Sequence, residues 1–296
     1  MSASVLPVAD GFDPRTFARE VATARAVELR QRMRDCHAGV FVLIDPVLGD
    51  PVSRDPLPEG LSPNELNDLR SQLWGRSTHG LELPQGVALE TRLGPYLIEL
   101  DGPNDPWLEV TVGWAVQEAV ASWTDTRGAG TPHRVAGWLQ SAAHVSVLAT
   151  MLSAWLKLDT DAATTARYLR LADRRVWGLA VHVLGAEHIA QRLAPIHCWH
   201  WLDPHATWQR LQAATPAAAL HDIAPQPLAR FSRKQWAVMM QGPAIHRYLA
   251  EEQARRVRSA NAPGLVPSMP VSDALWQAAL AHASLENKTN QEGPSP

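Results

Sequence analysis

Residues 168–176 (YLRLADRRV) join a short apolar strand pattern to an aspartate that is flanked by three arginines. A carboxylate beside guanidinium groups forms bidentate, charge-assisted hydrogen bonds, so Asp173 with Arg170 and Arg175 is predicted to fix the junction between a strand and a following helix. No general base or nucleophile accompanies these residues in the sequence. The pattern therefore favours an ion-paired corner, either structural or partner-binding, over a catalytic site.

Apolar runs on either side of this corner alternate with segments of helical spacing. Residues 40–44 form a continuous apolar run that ends at Asp45, which is typical of a strand buried on both faces. Further strands are predicted at residues 94–100, 135–139 and 167–171, and helices at residues 13–36, 63–74, 108–123, 141–158 (capped by Ser141) and 176–184. This order predicts an α/β (α+β) fold, with a small mixed sheet flanked by helices.

The strand patterns fade after residue 203, and helical spacing takes over. Helices are predicted at residues 207–214, 234–258 and 272–285, with proline-bearing breaks between them. We therefore predict four parts of the chain: an N-terminal helix (residues 1–38), an α/β domain (39–203), a mainly helical C-terminal lobe (204–286) and a disordered tail (287–296).

The composition argues against several classes of function. The 296 residues carry 27 Lys and Arg against 30 Asp and Glu, so the chain lacks the excess of positive charge that binds nucleic acid. No window approaches the roughly 20 apolar residues of a membrane span. The glycine-bearing residues 127–132 lack the spacing of nucleotide-binding loops, and we predict no cofactor. Two distant cysteines, Cys36 and Cys198, together with the lack of a secretory signal pattern, predict a cytoplasmic protein.

Five segments, taken in their order along the chain, resemble the type VI secretion adaptor family, also called effector chaperones. They lie between residues 39 and 203, and they are Val42-Leu43-Ile44-Asp45, Pro95-Tyr96-Leu97, Gly137-Trp138-Leu139-Gln140-Ser141, the corner of Arg170, Asp173 and Arg175, and Ala194-Pro195-Ile196 ahead of Trp199. Their order, rather than any one motif, carries the resemblance. Arg174 stands where the family usually has proline, which is expected to loosen the corner.

The resemblance implies a non-enzymatic role. A protein of this family holds a secreted toxin effector in the cytoplasm and promotes its loading onto VgrG, the valine-glycine-repeat spike protein. The implied partners of this chain are therefore an effector and the spike protein. On this interpretation, Arg170, Asp173 and Arg175 shape a corner that faces the partner or links the lobes.

Tryptophans supply the candidate contact residues of such an adaptor. The chain has 12 tryptophans, and one tryptophan side chain buries a large area while its indole N–H can still donate a hydrogen bond. Most of the 12 are expected to fill the core. Trp199, Trp201 and Trp208 cluster among prolines and histidines near the end of the predicted α/β domain, and we interpret them as a partner-binding surface.

Two alternatives stay open at this stage. The first is a metal-dependent or Cys/His hydrolase built on the histidines and the cysteine between His182 and His205, since imidazole and thiolate bind zinc. The spacing does not favour it, because His182 and His188 are six residues apart, which places them about 120° apart around a helix, and no HExxH, CxxC or GxSxG pattern is present. The second alternative is a scaffold protein without a role in secretion.

Overall fold

The computed structural model describes residues 13–34, 38–124, 131–160, 167–214, 227–259 and 270–291. The helices are α1 (Pro14–Met33), α2 (Pro63–Trp74), α3 (Pro106–Thr124), α4 (Val145–Leu156), α5 (Arg174–Leu184), α6 (Ala186–Ala190), α7 (Arg233–Met240), α8 (Gly242–Ser259) and α9 (Asp273–Gln291). The strands are β1 (Gly39–Ile44), β2 (Thr78–Gly80), β3 (Tyr96–Leu100), β4 (Val135–Ser141), β5 (Lys157–Thr160), β6 (Arg167–Tyr168), β7 (Ile196–Leu202), β8 (Trp208–Gln212) and β9 (Arg230–Phe231), and a 3-10 helix spans Thr91–Leu93.

A six-stranded sheet of order β2-β3-β1-β4-β7-β8 forms the centre of the molecule. Every pair of neighbouring strands in it is antiparallel. The predicted small mixed sheet is therefore wrong for this layer, although helices and an antiparallel sheet together fit the α+β class. The alternation of strands and helices suggested parallel crossovers, but connections through helices also return antiparallel strands. A second, three-stranded sheet of order β6-β5-β9 contains one parallel pair, β5 with β9.

Helices cover both faces of the central sheet, which explains the continuous apolar run of β1. Val40, Val42 and Ile44 pack on one face with residues of α1 and α3, whereas Phe41 and Leu43 pack on the other face with residues of α4 and α5. Successive side chains of a strand point to opposite faces, so a strand with both faces covered needs apolar residues throughout. The strand predicted at residues 40–44 is confirmed.

Local signals define the first two helices accurately. The carboxylate of Asp13 accepts hydrogen bonds from the backbone N–H groups of Arg15 and Thr16, which makes it the N-cap of α1. Ser62 and Glu65 form a reciprocal capping box at the start of α2. A hydrogen-bonded cap satisfies backbone groups that have no partner within the helix, so these starts are specified by neighbouring residues alone.

Reciprocal hydrogen bonds join α1 to the turn between β7 and β8. The guanidinium Nε of Arg25 donates to the carbonyl of Ala206 at 2.8 Å, and the indole Nε1 of Trp208 donates to the carbonyl of Arg25 at 3.1 Å. Trp208 also packs edge-to-face on Trp138 of β4. The first helix is therefore attached to the last strand of the central sheet.

The C-terminal helices pack around the far end of α5. Ile245 and Leu249 of α8 contact Leu275 and Trp276 of α9 in an apolar cluster that also contains Leu179 of α5. Two further residues of α8, Ala250 and Val257, belong to the apolar cluster on the α1 and α3 face of the sheet. Across the residues that the structure describes, no helix has the length and apolar character that crossing a membrane requires.

Residues 207–214 do not form the predicted helix. Residues 208–212 form strand β8, which pairs with β7 in the register Leu202↔Trp208 to Cys198↔Gln212. The separation of Trp208 and Leu211 by three residues suggested a helix, but the free edge of β7 supplies a ladder of hydrogen bonds that the local sequence does not reveal. The central sheet therefore continues beyond residue 203.

Three smaller expectations also need correction. The strand predicted at residues 167–171 is only the two-residue β6. Helix α9 ends at Gln291 and so includes the first residues of the predicted disordered tail. The rest of that tail, residues 292–296, lies outside the described ranges. Ser141 is the last residue of β4, and the N-cap of α4 is His144. Ser141 instead donates to the carbonyl of Pro195 at 2.8 Å and so ties β4 to the start of β7.

Gly137 of β4 is predicted to be essential for the packing of β4 against β7. A Cβ atom there would lie 2.4 Å from the carbonyl oxygen of His200 and 2.5 Å from the Trp199 indole nitrogen. Because a backbone atom and a buried ring cannot both move away, Gly137→Ala is expected to lower the free energy of unfolding by about 3 kcal/mol or more. Urea denaturation measures this change.

Gly113 of α3 offers the matched control. A Cβ atom at this position meets nothing within 4 Å, so Gly113→Ala is expected to leave stability unchanged or raise it by up to about 1 kcal/mol through helix propensity. Equal effects of the two substitutions would contradict the close approach of β4 and β7.

Candidate functional site

Asp173 lies at the centre of the predicted corner and begins helix α5. Its carboxylate accepts hydrogen bonds from the backbone N–H of Arg175 at 3.0 Å and from the guanidinium Nε and Nη2 of Arg175 at 3.0 and 2.7 Å. Asp173 is 2% exposed. Burial alone would raise the pKa of this carboxyl, but the hydrogen bonds and charge of Arg175, with the charge of Arg170, hold the pKa below its ordinary value. Asp173 is thus a buried, charged N-cap.

Arg170 connects this cap to the end of β1. Its Nε donates to Oδ2 of Asp45 at 2.5 Å, and its Nη1 lies 3.8 Å from Oδ2 of Asp173. Asp45 is fully buried, and burial raises its pKa in spite of the charge of Arg170. The guanidinium group of Arg170 therefore interacts with two buried carboxylates that are far apart in the sequence.

Arg174, which stands where the adaptor family usually has proline, extends the corner to α3. The side chain is buried, and its Nη1 donates to Oε2 of Glu118 at 2.8 Å while its Nη2 donates to the carbonyl of Ala115 at 2.7 Å. Glu118 also accepts from Nε of Arg134 at 2.9 Å. Arg174 thereby attaches the first turn of α5 to the middle of α3. No sequence signal links Glu118 to Arg174, because 56 residues separate them.

A cavity of about 300 Å³ opens beside the corner, between α5, the turn after β7, α8 and α9. Arg174, Arg175 and Gly178 line it from α5. From the other elements, the lining includes Trp201, Asp203, His246, Asp273 and Trp276. Of these lining residues, Arg175 and Trp201 are predicted site residues, whereas Gly178, Asp203, His246 and Asp273 have no predicted role. A glycine inside the helical pattern of α5 was the one local signal at this place.

The three tryptophans predicted to form a contact surface are buried in the core. Trp199 stacks on Trp177 with ring centroids 4.0 Å apart, and Trp201 packs edge-to-face on the same Trp177. Trp208 lies on the opposite face of the sheet, against Trp138. Their exposures are 0%, 5% and 6%, so they do not offer a surface to a partner, and removing any of them would leave a cavity. Of the three, Trp201 lines the cavity beside the corner.

The histidine and cysteine cluster does not assemble the site that the hydrolase alternative requires. Sγ of Cys198 lies 3.2 Å from Nε2 of His200 and accepts from Nε of Arg210 at 3.0 Å, but both Cys198 and His200 are buried. His182 instead stacks on Trp276 of α9. In the described ranges, no three side chains of His, Cys, Asp or Glu are grouped so that they could hold a metal ion.

Comparison of the chain with family models, curated proteins and solved structures gives no match.

Asp173 offers a direct test of the corner. Asp173→Ala is expected to lower the free energy of unfolding by about 2–3 kcal/mol, because it removes the cap of α5 and the carboxylate that pairs with the partly buried Arg175. Asp173→Asn keeps a side chain that can cap α5 but removes the charge, so the difference between the two variants measures the capping contribution, which is about 1 kcal/mol. Asp68→Asn, at an exposed position of α2, is the control and is expected to have no effect. Unchanged stability of Asp173→Ala in urea denaturation would contradict the role of the corner.

Buried histidines predict that acid destabilises the protein. Burial, with the charge of neighbouring arginines, lowers the pKa of His246 to about 4 and that of His200 to about 3, and it lowers the pKa of His133 as well. The unfolded rings titrate near 6.5, so between these values the unfolded chain binds more protons than the folded chain. The free energy of unfolding is therefore expected to fall as the pH drops below about 6.5, by about 1.4 kcal/mol per pH unit for each such histidine.

Substitution of His246 isolates this effect from that of the carboxylates. His246→Gln is expected to reduce the slope of unfolding free energy against pH between about pH 4 and 6.5 by about 1 kcal/mol per pH unit. Denaturation curves measured across this pH range provide the test, and identical slopes for wild type and His246→Gln would refute it.

Proposed function

We propose that the chain is a non-enzymatic adaptor that binds a type VI secretion effector in the cytoplasm and promotes its loading onto the VgrG spike protein. The observation that carries this proposal is the arrangement of the five segments that resemble the adaptor family. Four of them contribute strands β3, β1, β4 and β7, which are consecutive neighbours in the central sheet. The fifth segment is the corner at the start of α5.

Direct contacts join these segments in pairs. Asp45, which ends the first segment, is bound by Arg170 of the corner. Ser141, which ends the third segment, donates to the carbonyl of Pro195 in the last segment. Residues that are scattered in the sequence thus form one continuous structural unit, as the motifs of a common framework are expected to do. This supports the resemblance as a whole better than any single motif does.

Effector recognition is proposed to use the residues outside this framework. The resemblance ends near residue 203, and α7, α8 and α9 follow it. Met240, at the end of α7, is 59% exposed, and methionine is enriched at protein interfaces, so we take it as the candidate contact residue. On this proposal, the central sheet carries the residues that resemble the family, and the helices α7, α8 and α9 recognise one particular effector.

Deletion of the gene in its host tests the proposal. One toxin effector is expected to disappear from the secreted proteins, while other effectors and the spike protein are still secreted. The tagged chain, restored to the deletion strain, is expected to recover secretion and to retain that effector after a salt wash, as identified by mass spectrometry. Secretion that is unchanged by the deletion would refute the adaptor role, and recovery of a partnerless oligomer would then favour the scaffold alternative.

A pair of surface variants refines the same experiment. Met240→Glu is expected to reduce effector recovery at least about tenfold, since a charge placed in an apolar contact costs more than about 1.4 kcal/mol. Leu48→Glu, at a position that is 47% exposed in the loop after β1, is the matched control and is expected to retain the effector. Equal recovery with both variants would place the effector contact elsewhere than α7.

A further inference from the structure

Helix α7 has no fully buried residue along its eight positions. It packs through half-buried side chains, such as those of Val238 and Met239, against the apolar cluster of α8 and α9. Arg233, Ala237 and Met240 are exposed, and their spacing of four and three residues places them on one face of the helix. This outer face of α7 points away from the core.

Trp236 extends the outer face of α7 on one side. It is half-buried, and it lies three residues after Arg233 and four before Met240, so both are its neighbours on the helix surface. The guanidinium carbon of Arg167 lies 5.2 Å from the centroid of the Trp236 ring, in cation–π contact. Apolar and basic groups therefore lie side by side. We call Arg167, Arg233, Lys234, Trp236 and Met240 the α7 surface.

The three basic groups of the α7 surface are exposed and lack an ion-pair partner in the part of the chain that the structure describes. No Asp or Glu there lies within ion-pair distance of Arg167, Arg233 or Lys234. In the whole chain, by contrast, 30 Asp and Glu outnumber 27 Lys and Arg. Three cations are thus concentrated at one place on a protein with an excess of carboxylates.

Two of these cations lie where a helix is least compatible with positive charge. Arg233 and Lys234 follow the N-cap Ser232, and the first turn of α7 contains no acidic residue. The first turn of α2 carries Glu65 instead. Because the N-terminal end of a helix has a partial positive charge, cations are unfavourable there and anions are favourable. The arrangement in α7 therefore becomes favourable once an anionic group binds beside it.

From these features we propose that the α7 surface binds an acidic segment of the partner protein. Carboxylates of that segment pair with Arg233 and Lys234, and an apolar side chain of it packs on Met240 and Trp236. Charge complementarity selects such a partner, and the apolar groups add a contact that a small anion does not use. The inference rests on the proposal that α7 contacts the effector, and it specifies the chemistry of the effector segment.

An anionic membrane surface fits the α7 surface less well than an acidic polypeptide does. Helices that lie in a membrane interface bury a whole apolar face among the lipids. On α7, Met240 is the one large apolar side chain among the exposed residues, and Arg233 lies on the same face. A polypeptide segment needs only one apolar contact beside its carboxylates.

Synthetic peptides test the surface on the purified chain, without an effector. The peptide Ac-EELLEELLEE-NH2 is expected to shift the indole N–H resonance of Trp236, which is assigned with Trp236→Phe. Ac-KKLLKKLLKK-NH2, which has the same leucines but the opposite charge, is expected to cause no shift. Ac-EESSEESSEE-NH2, which lacks the leucines, is expected to bind at least about threefold more weakly.

Three outcomes of this titration would overturn the proposal. The first is no shift at about 5 mM of the acidic peptide, above the roughly millimolar affinity of a short ligand. The second is an equal shift with the lysine peptide. The third is binding to phosphatidylserine vesicles without binding to the acidic peptide, which would assign the α7 surface to a membrane.

Charge reversal connects the binding to α7. Arg233→Glu combined with Lys234→Glu is expected to weaken binding of the acidic peptide at least about tenfold. The thermal midpoint is expected to stay unchanged or to rise, because acidic residues suit a helix N-terminus. Arg15→Glu combined with Arg19→Glu makes the same charge change at exposed positions of α1 and is expected to weaken binding less than about twofold. Equal losses in the two double variants would overturn the proposal.

Cross-linking of the complex recovered from the host separates this inference from the adaptor role. A carbodiimide joins a lysine amine to a carboxylate that is in contact with it, and Lys234 is one of three lysines in the chain. Lys234 is expected to be joined to an Asp or Glu of the effector. An effector that lacks this cross-link and is retained by the Arg233→Glu and Lys234→Glu variant would overturn the inference but not the adaptor role. Binding of the acidic peptide by a chain that retains no effector would support the surface and refute the adaptor role.

Discussion

The charge balance of one buried corner holds the principal elements of this fold together. Asp45, Asp173 and Glu118 are each 5% exposed or less, and each is bound by an arginine from the segment 170–175. Buried charges without partners are strongly destabilising, so the end of β1, the middle of α3 and the start of α5 have to meet. The pairing contributes geometry more than stability, since an apolar core of equal volume would be about as stable.

The tryptophan stack complements this corner on the apolar side. The ionic groups fix the first turn of α5, while Trp177 in the next turn stacks on Trp199 of β7. Gly137 makes room for that ring on the neighbouring strand. Both ion pairs and the close packing of Trp177 therefore fix the position of helix α5. Helix α5 also forms one wall of the cavity beside the corner.

Sequence reasoning succeeded where neighbouring residues determine structure, and it failed where distant residues do. The cap of α1, the buried strand at residues 40–44 and the corner of Arg170, Asp173 and Arg175 all carry local signals. The strand β8, the antiparallel direction of the sheet and the pairing of Arg174 with Glu118 depend on segments that are far apart in the chain. Trp199 and Trp201 could have been assigned to the core, since a spacing of two in an apolar run places both on one face of a strand. The cavity is formed by four elements and had no single sequence signal beyond Gly178.

The two hydrogen bonds between α1 and the turn after β7 have a consequence for how the chain can be divided. Hydrogen bonds connect the two ends of the segment 14–212, since α1 is bound to the turn after β7 and to β8. Detachment of either end would expose apolar residues on one face of the sheet. A fragment that begins at residue 39 would lack Ala18, Ala26, Leu29 and Met33, which pack on this face of the sheet, and would expose part of its apolar surface. Any shortened version of this protein has to retain α1, even though the resemblance to the adaptor family begins after it.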